Sequence, residues 1–190
     1  PTAVLVANAM SFDVASAGRD ASLAVSLAAV SGKAAAPGSG VLFLRMKANG
    51  QGVTDAGLAP ALLPGQLSAD SDDALAEVES AFGGPVPAGG GDVADIFEAV
   101  ERGDVRAALI VGEDPIAGAD DPARVEAALS RLEFLVVMDS VPNRTAAIAH
   151  VVLPAASFGE FEGSFTNSER RIQPVAAVVP PGSGLSNIAV

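Results

Sequence analysis

Cysteine is absent from the 190 residues, and histidine occurs once, at His150. Within this stretch that excludes a disulfide, a thiolate zinc site, ligands for an iron–sulfur cluster, a cysteine nucleophile and a multi-histidine metal centre. Tryptophan and tyrosine are missing too. No apolar run approaches the ~20 residues that a membrane span needs, and no basic segment followed by an apolar stretch reads as an export signal. Cations are scarce: 11 Lys plus Arg stand against 23 Asp plus Glu, a formal charge of -12. Such acidity speaks against a nucleic-acid backbone or an anionic membrane as the main partner. The opening Pro-Thr-Ala, without a methionine, reads as a processed product or a piece of a longer protein.

What is present is a small-residue apolar chain, 49% hydrophobic and 18% charged. That balance excludes intrinsic disorder, and the length suffices for one large or two small domains with a buried core. Apolar, β-rich runs predict strands at 2–7, 41–46, 105–111, 134–138 and 150–153. Helices are predicted at 19–31 (with Leu23, Leu27 and Val30 at helical spacing), 72–82, 92–102, 122–132 and 144–149. Asp92 is the expected cap of the third, and Ile96, Phe97 and Val100 its buried face. A glycine-rich loop is expected at 47–57, with Gly50, Gly52 and Gly57 free to take positive φ. The expected domain is 1–154, with a flexible stretch near 83–91 that could divide it into two lobes, followed by an irregular segment, 155–190. Strands alternating with helices predict an α/β fold: a mostly parallel sheet with helices on both faces.

Ligands of such sheets sit beyond the carboxyl ends of the strands. Four loops follow: 8–11, 45–57, 112–115 and 139–145. The second offers Arg45, Lys47, Asn49 and Gln51 beside flexible backbone, a plausible anion or nucleotide cradle, or else a surface turn whose glycines serve geometry alone. In the third, Gly112 permits close approach, and the carboxylates of Glu113 and Asp114 can accept from ribose hydroxyls or guanine N–H groups. On local content the ordinary strand-to-helix turn, capped by Asp114 before Pro115, is favoured. The fourth carries Asp139 and Asn143, which either bind polar ligand groups or open the next helix. Ser140, Asp139 and His150 lack a G-x-S-x-G elbow, so His150 is read as structural or superficial. Glu160, Glu162, Glu169, Arg170 and Arg171 read as an ion-pair network before an acid–base site.

Taken in order, five blocks resemble the molybdopterin oxidoreductase superfamily and cover nearly the whole chain. HVVLPAASFGEFEGSFTNSERRIQPV, starting at His150, is similar to A-D-V-V-L-P-A-A followed by G-T-F-T-N-x-E-R-R-x-Q. ANGQGVTDAGLAPALLPG matches N-x-Q-G-x-x-D-x-G at Asn49, Gln51, Gly52, Asp55 and Gly57, and P-G at Pro64 and Gly65. GEDP resembles G-E-N-P, FLVVMDSVPNRTA a strand followed by D-x-F-x-T-E-T-A, and SGKAAAPGSGV a helix-end G-K-x-x-x-P-G-x-G-V. The chain departs at Asp114 (usually Asn), Asn143 and Arg144 (Thr and Glu), His150 (Asp), and Met46 with Lys47 (commonly Gly and Gln).

The resemblance implies the middle α/β portion of a larger oxidoreductase subunit. Its first implied branch is the large iron–sulfur subunit of the respiratory NADH-quinone oxidoreductase, complex I. There the segment would support electron transfer structurally and carry no cofactor. The alternative is a formate dehydrogenase catalytic subunit. In it Gln51, Gly112, Glu113, Asp114, Pro115, Asp139 and Asn143 would hold a molybdenum or tungsten bis-molybdopterin guanine dinucleotide. A stand-alone acidic scaffold is the third reading. All imply no catalytic residue or metal ligand in this stretch. The redox branches imply partner domains and subunits of a redox complex, no nucleic acid, no membrane insertion, and a location in the cytoplasm or on the cytoplasmic side of a membrane.

Overall fold

The computed structural model describes residues 4–8, 14–45, 47–87 and 90–190. The start of the expected strand at 2–7, most of the loop at 8–11, Met46, and 88–89 of the stretch at 83–91 lie outside the described residues. The chain forms two compact units: Pro1–Val86 with Ser164–Pro174, and Pro87–Gly163 with Val175–Val190.

In the first unit, β1 (Val4–Asn8) and β2 (Gly40–Leu44) pair in parallel around α1 (Val14–Val30). The helix begins at Val14, before the expected start. Its buried residues include Ala24 and Ala28, while Leu23, Leu27 and Val30 are exposed. The regular spacing of the leucines therefore marks the outward face, and the small residues pack inward. Gly50–Asp55 forms a helix, α2, where a loop was expected. Of the three loop glycines only Gly57 has positive φ, at 82°. The other two make room: a Cβ on Gly50 would lie 3.0 Å from Arg45 Cδ, and one on Gly52 would lie 2.2 Å from Asn49 Oδ1. Two-residue strands β3 (Leu62–Leu63) and β4 (Leu67–Ser68) flank a 3-10 turn at Pro64–Gln66. Helix α3 (Asp72–Phe82) keeps its expected bounds, because Ser71 accepts from Ala74 N at its start and left-handed Gly83 closes its end.

The second unit opens with α4 (Val93–Arg102), where Asp92 and Asp95 form a reciprocal capping box. Val100 is buried and Phe97 half-buried, but Ile96, expected inside, is 47% exposed. There follow β5 (Ala107–Val111), α5 (Pro115–Gly118), α6 (Pro122–Leu129), β6 (Phe134–Asp139), α7 (Arg144–Ala147) and β7 (Val151–Pro154). Helices α6 and α7 stop short of the expected ends, and the expected loop 112–115 runs into the short helix α5, which Asp114 caps. The three strands make a parallel sheet ordered β5-β6-β7, the α/β arrangement that continuous apolar strands imply. Val100, Ile116, Ala128, Leu129, Leu132, Leu135 and Val137 form its core, with Ala108 and Ile110 packed against them. By alternation along the strands, Leu109, Val111 and Phe134 fall on the opposite sheet face, and all three are exposed. Beyond β7 in the chain, two short strands pair with each other, β8 (Gly163–Thr166) and β9 (Ile172–Val175), and their span Ser164–Pro174 belongs to the first unit.

Candidate functional site

Six of the seven residues expected at a ligand site converge at the carboxyl ends of β5 and β6. Gly112, at φ 67°, follows β5 and donates its N–H to Met138 O at 2.9 Å, which ties the two strand ends together. An added Cβ there would meet nothing within 4 Å, so the turn faces open space. Glu113 is exposed beside it. Pro115 starts α5, where its fixed φ suits the first helical position.

Asp114 is turned inward. Its Oδ1 accepts from Ala117 N at 3.2 Å, from Thr145 N at 3.3 Å and from Thr145 Oγ1 at 2.6 Å, and its Oδ2 accepts from Arg144 N at 3.1 Å. Burial raises its pKa, but the Thr145 hydroxyl and the three N–H groups outweigh burial and hold the carboxyl below the usual carboxylate value. Thr145 is fully buried, and its Oγ1 accepts in turn from Ile116 N at 3.4 Å. Asp139 is likewise engaged: Oδ1 accepts from Ser140 N at 2.6 Å and Oδ2 from Asn143 Nδ2 at 2.7 Å. Asn143 caps α7, its Oδ1 accepting from Ala146 N at 2.7 Å. The first-turn N–H groups of α5 and α7 thus all have partners within the chain. The strand-end edge is therefore not a helix-terminus phosphate cradle; its outward chemistry is acceptor-rich.

Gln51 belongs to the first unit and is buried. Its Oε1 accepts from Arg45 at 3.2 Å and its Nε2 donates to Asp55 Oδ1 at 2.8 Å. Gln66 also donates to Asp55 and accepts from Arg170. Gln66 and Arg170 are the two non-glycine residues with positive φ among the described residues, at 61° and 62°. Asn49 Oδ1 accepts from Thr166 N at 2.9 Å, so the second and fifth sequence blocks meet in this unit.

His150 is exposed, and its Nδ1 accepts from Leu135 N at 2.9 Å, at the start of β6. Asp139 and Ser140 lie at the opposite end of that strand, so the three form no triad. Glu160 accepts from the backbone of Ser157 and Gly182, and Glu169 pairs with Arg171 at 3.3 Å. These contacts are structural. Thr145 is the residue that sequence reasoning does not single out; its signal is a hydroxyl in the first turn of a helix that follows a strand-end carboxylate. Among the described residues, no three His, Cys, Asp or Glu are grouped to hold a metal ion.

Residues 20–184 match the molybdopterin oxidoreductase family. The chain belongs to that family. It is 35% identical over 158 residues to NADPH-Fe(3+) oxidoreductase subunit alpha of Geobacter sulfurreducens, covering 83% of this chain and 18% of that protein. A putative formate dehydrogenase of Bacillus subtilis is 39% identical over 165 residues, 86% of this chain and 17% of the relative. One from Staphylococcus aureus is 36% identical over 180 residues, 94% of this chain and 18% of the relative. The chain spans less than a fifth of the length of these relatives. Within this molybdopterin oxidoreductase segment, no helix of the described residues is long and apolar enough to cross a membrane.

Proposed function

We propose that this chain is the part of a formate dehydrogenase-type oxidoreductase that holds the guanosine end of a molybdopterin guanine dinucleotide arm. The observation that carries this reading is the convergence of Gly112, Glu113, Asp114, Pro115, Asp139 and Asn143 at one strand-end edge. The similarity to putative formate dehydrogenases supports the same branch.

The donor set fits that group at its guanosine end. Guanine N–H groups and ribose hydroxyls are donors, and an edge rich in carboxylate oxygens accepts from them. Gly112 leaves the backbone approachable, Glu113 is exposed at the same turn, and Asp139 Oδ2 has acceptor capacity beyond its bond from Asn143. Asp114, Pro115 and Asn143 shape the turns. Gln51, whose amide is taken by Arg45 and Asp55, supports its own loop. When bound, the metal of the cofactor supplies the two-electron redox chemistry; this chain binds and orients. Its partners in this reading are other domains and subunits of a cytoplasmic redox complex.

A second reading is the architectural one, a cofactor-free segment of the large iron–sulfur subunit of complex I. It is favoured by one observation: the Asp114 carboxylate spends four contacts on groups of the chain itself. Calorimetric titration of the chain with GDP, and separately with ADP, divides the two. Saturable GDP binding that weakens in Glu113→Gln, with no heat from ADP, is expected. No GDP binding, or equal binding of ADP, overturns the nucleotide reading and leaves the architectural one.

A further inference from the structure

The bonds of Asp114 go further than a helix cap needs. Capping α5 takes one acceptor for Ala117 N, and Asp114 supplies it at 3.2 Å. Its three remaining contacts, Thr145 Oγ1 at 2.6 Å, Thr145 N at 3.3 Å and Arg144 N at 3.1 Å, all reach α7. Thr145 returns the bond by accepting from Ile116 N at 3.4 Å. The lock is reciprocal, its hydroxyl is fully buried, and it joins the turn after β5 to the helix after β6.

We propose that Asp114 is a positioning residue that makes these two strand-end turns one rigid piece, so that Gly112–Glu113 and Asp139–Asn143 face a ligand at a fixed spacing. The ligand side of this inference rests on the nucleotide reading above; the lock does not. The physical reason is that hydrogen bonds to an ionised carboxylate are stronger than neutral ones. Both α5 and α7 have four residues, too short to hold their own geometry. Beside its own cap, each takes first-turn partners from the other: Ile116 N from Thr145, and Arg144 N and Thr145 N from Asp114.

Backbone amide exchange of the chain tests this, read by NMR residue by residue. Asp114→Ala is expected to speed exchange about tenfold at Ala117 and at Arg144 and Thr145 together, leaving α4 unchanged. Thr145→Val keeps the side-chain volume and removes the hydroxyl. It is expected to loosen Ile116 and Ala117 across the gap, and it serves if the first variant does not fold. Faster exchange at Ala117 with α7 still protected would reduce Asp114 to an ordinary cap. A uniform rise that includes α4 would reduce it to general stability. Repeating the measurement with GDP separates the two layers. GDP is expected to slow exchange at Gly112 and Glu113 in the parent chain and not in Asp114→Ala. No GDP effect in the parent defeats the nucleotide reading, while the lock is judged on the ligand-free data.

Discussion

Thr145 Oγ1 donates to Asp114 Oδ1 at 2.6 Å across 31 residues of sequence. The contact joins the two strand-end turns of the second unit. Three residues that depart from the family pattern, Asn143, Arg144 and His150, have structural partners in this unit. Asn143 caps α7 as a threonine could. Arg144 gives its N–H to Asp114 and its guanidinium to Glu126, at 2.9 Å. His150 accepts a backbone N–H, a role an aspartate carboxylate can also fill.

The Asp114 carboxyl is depressed below the usual carboxylate value. A depressed pKa adds stability above the unfolded value, which is lost as pH falls through the folded one. Urea unfolding of the chain should therefore show a midpoint that drops on acidification from about pH 4 downward. Asp114→Asn should start lower near neutrality and fall less steeply. Parallel curves would contradict the assignment.

At His150, the acceptor matters and the imidazole does not. His150→Ala should cost about 1 kcal/mol by leaving Leu135 N–H without its partner. His150→Asp should recover most of the loss, as read from the urea midpoint. Equal losses in both would point to packing against Phe134, whose ring centroid lies 6.0 Å away.

Two glycines with similar φ make a controlled pair. Gly57, at 82°, has Pro64 N 2.5 Å from the site of an added Cβ, whereas Gly65, at 80°, has nothing within 4 Å. Gly65→Ala should cost about 1 kcal/mol through backbone strain alone. Gly57→Ala should cost clearly more by thermal melting, because backbone must also move.

Core and open face of the second unit should separate cleanly. Ile116→Ala, at a fully buried position, should destabilise by about 2–5 kcal/mol. Leu109→Ala, at a position 64% exposed, should stay within about 0.5 kcal/mol in denaturant unfolding.

The sequence made the strands and the longer helices readable because their signals are local. VLFL, ALIV and FLVVM are continuous apolar runs, and Ser71 and Asp92 cap the helices they precede. Helix α2 was hidden because its glycines read as loop. Their reason lies in space: Gly52 clears Asn49, which then reaches Thr166, 117 residues away. The spacing of Leu23 and Leu27 marks the helix, but periodicity reveals a stripe and not which stripe faces inward, and theirs is the exposed one. Topology was enough to bring Gly112 to Pro115, Asp139 and Asn143 to one edge. It could not show that Asp114 turns inward, since that depends on the tertiary contact with Thr145.

The most direct test of the central claim is metal and nucleotide analysis of the polypeptide that carries this sequence, purified from its source. Molybdenum or tungsten should be present, and acid hydrolysis should release guanine nucleotide in step with the metal. Iron without either metal and without guanine nucleotide would contradict the claim and leave the segment as architecture.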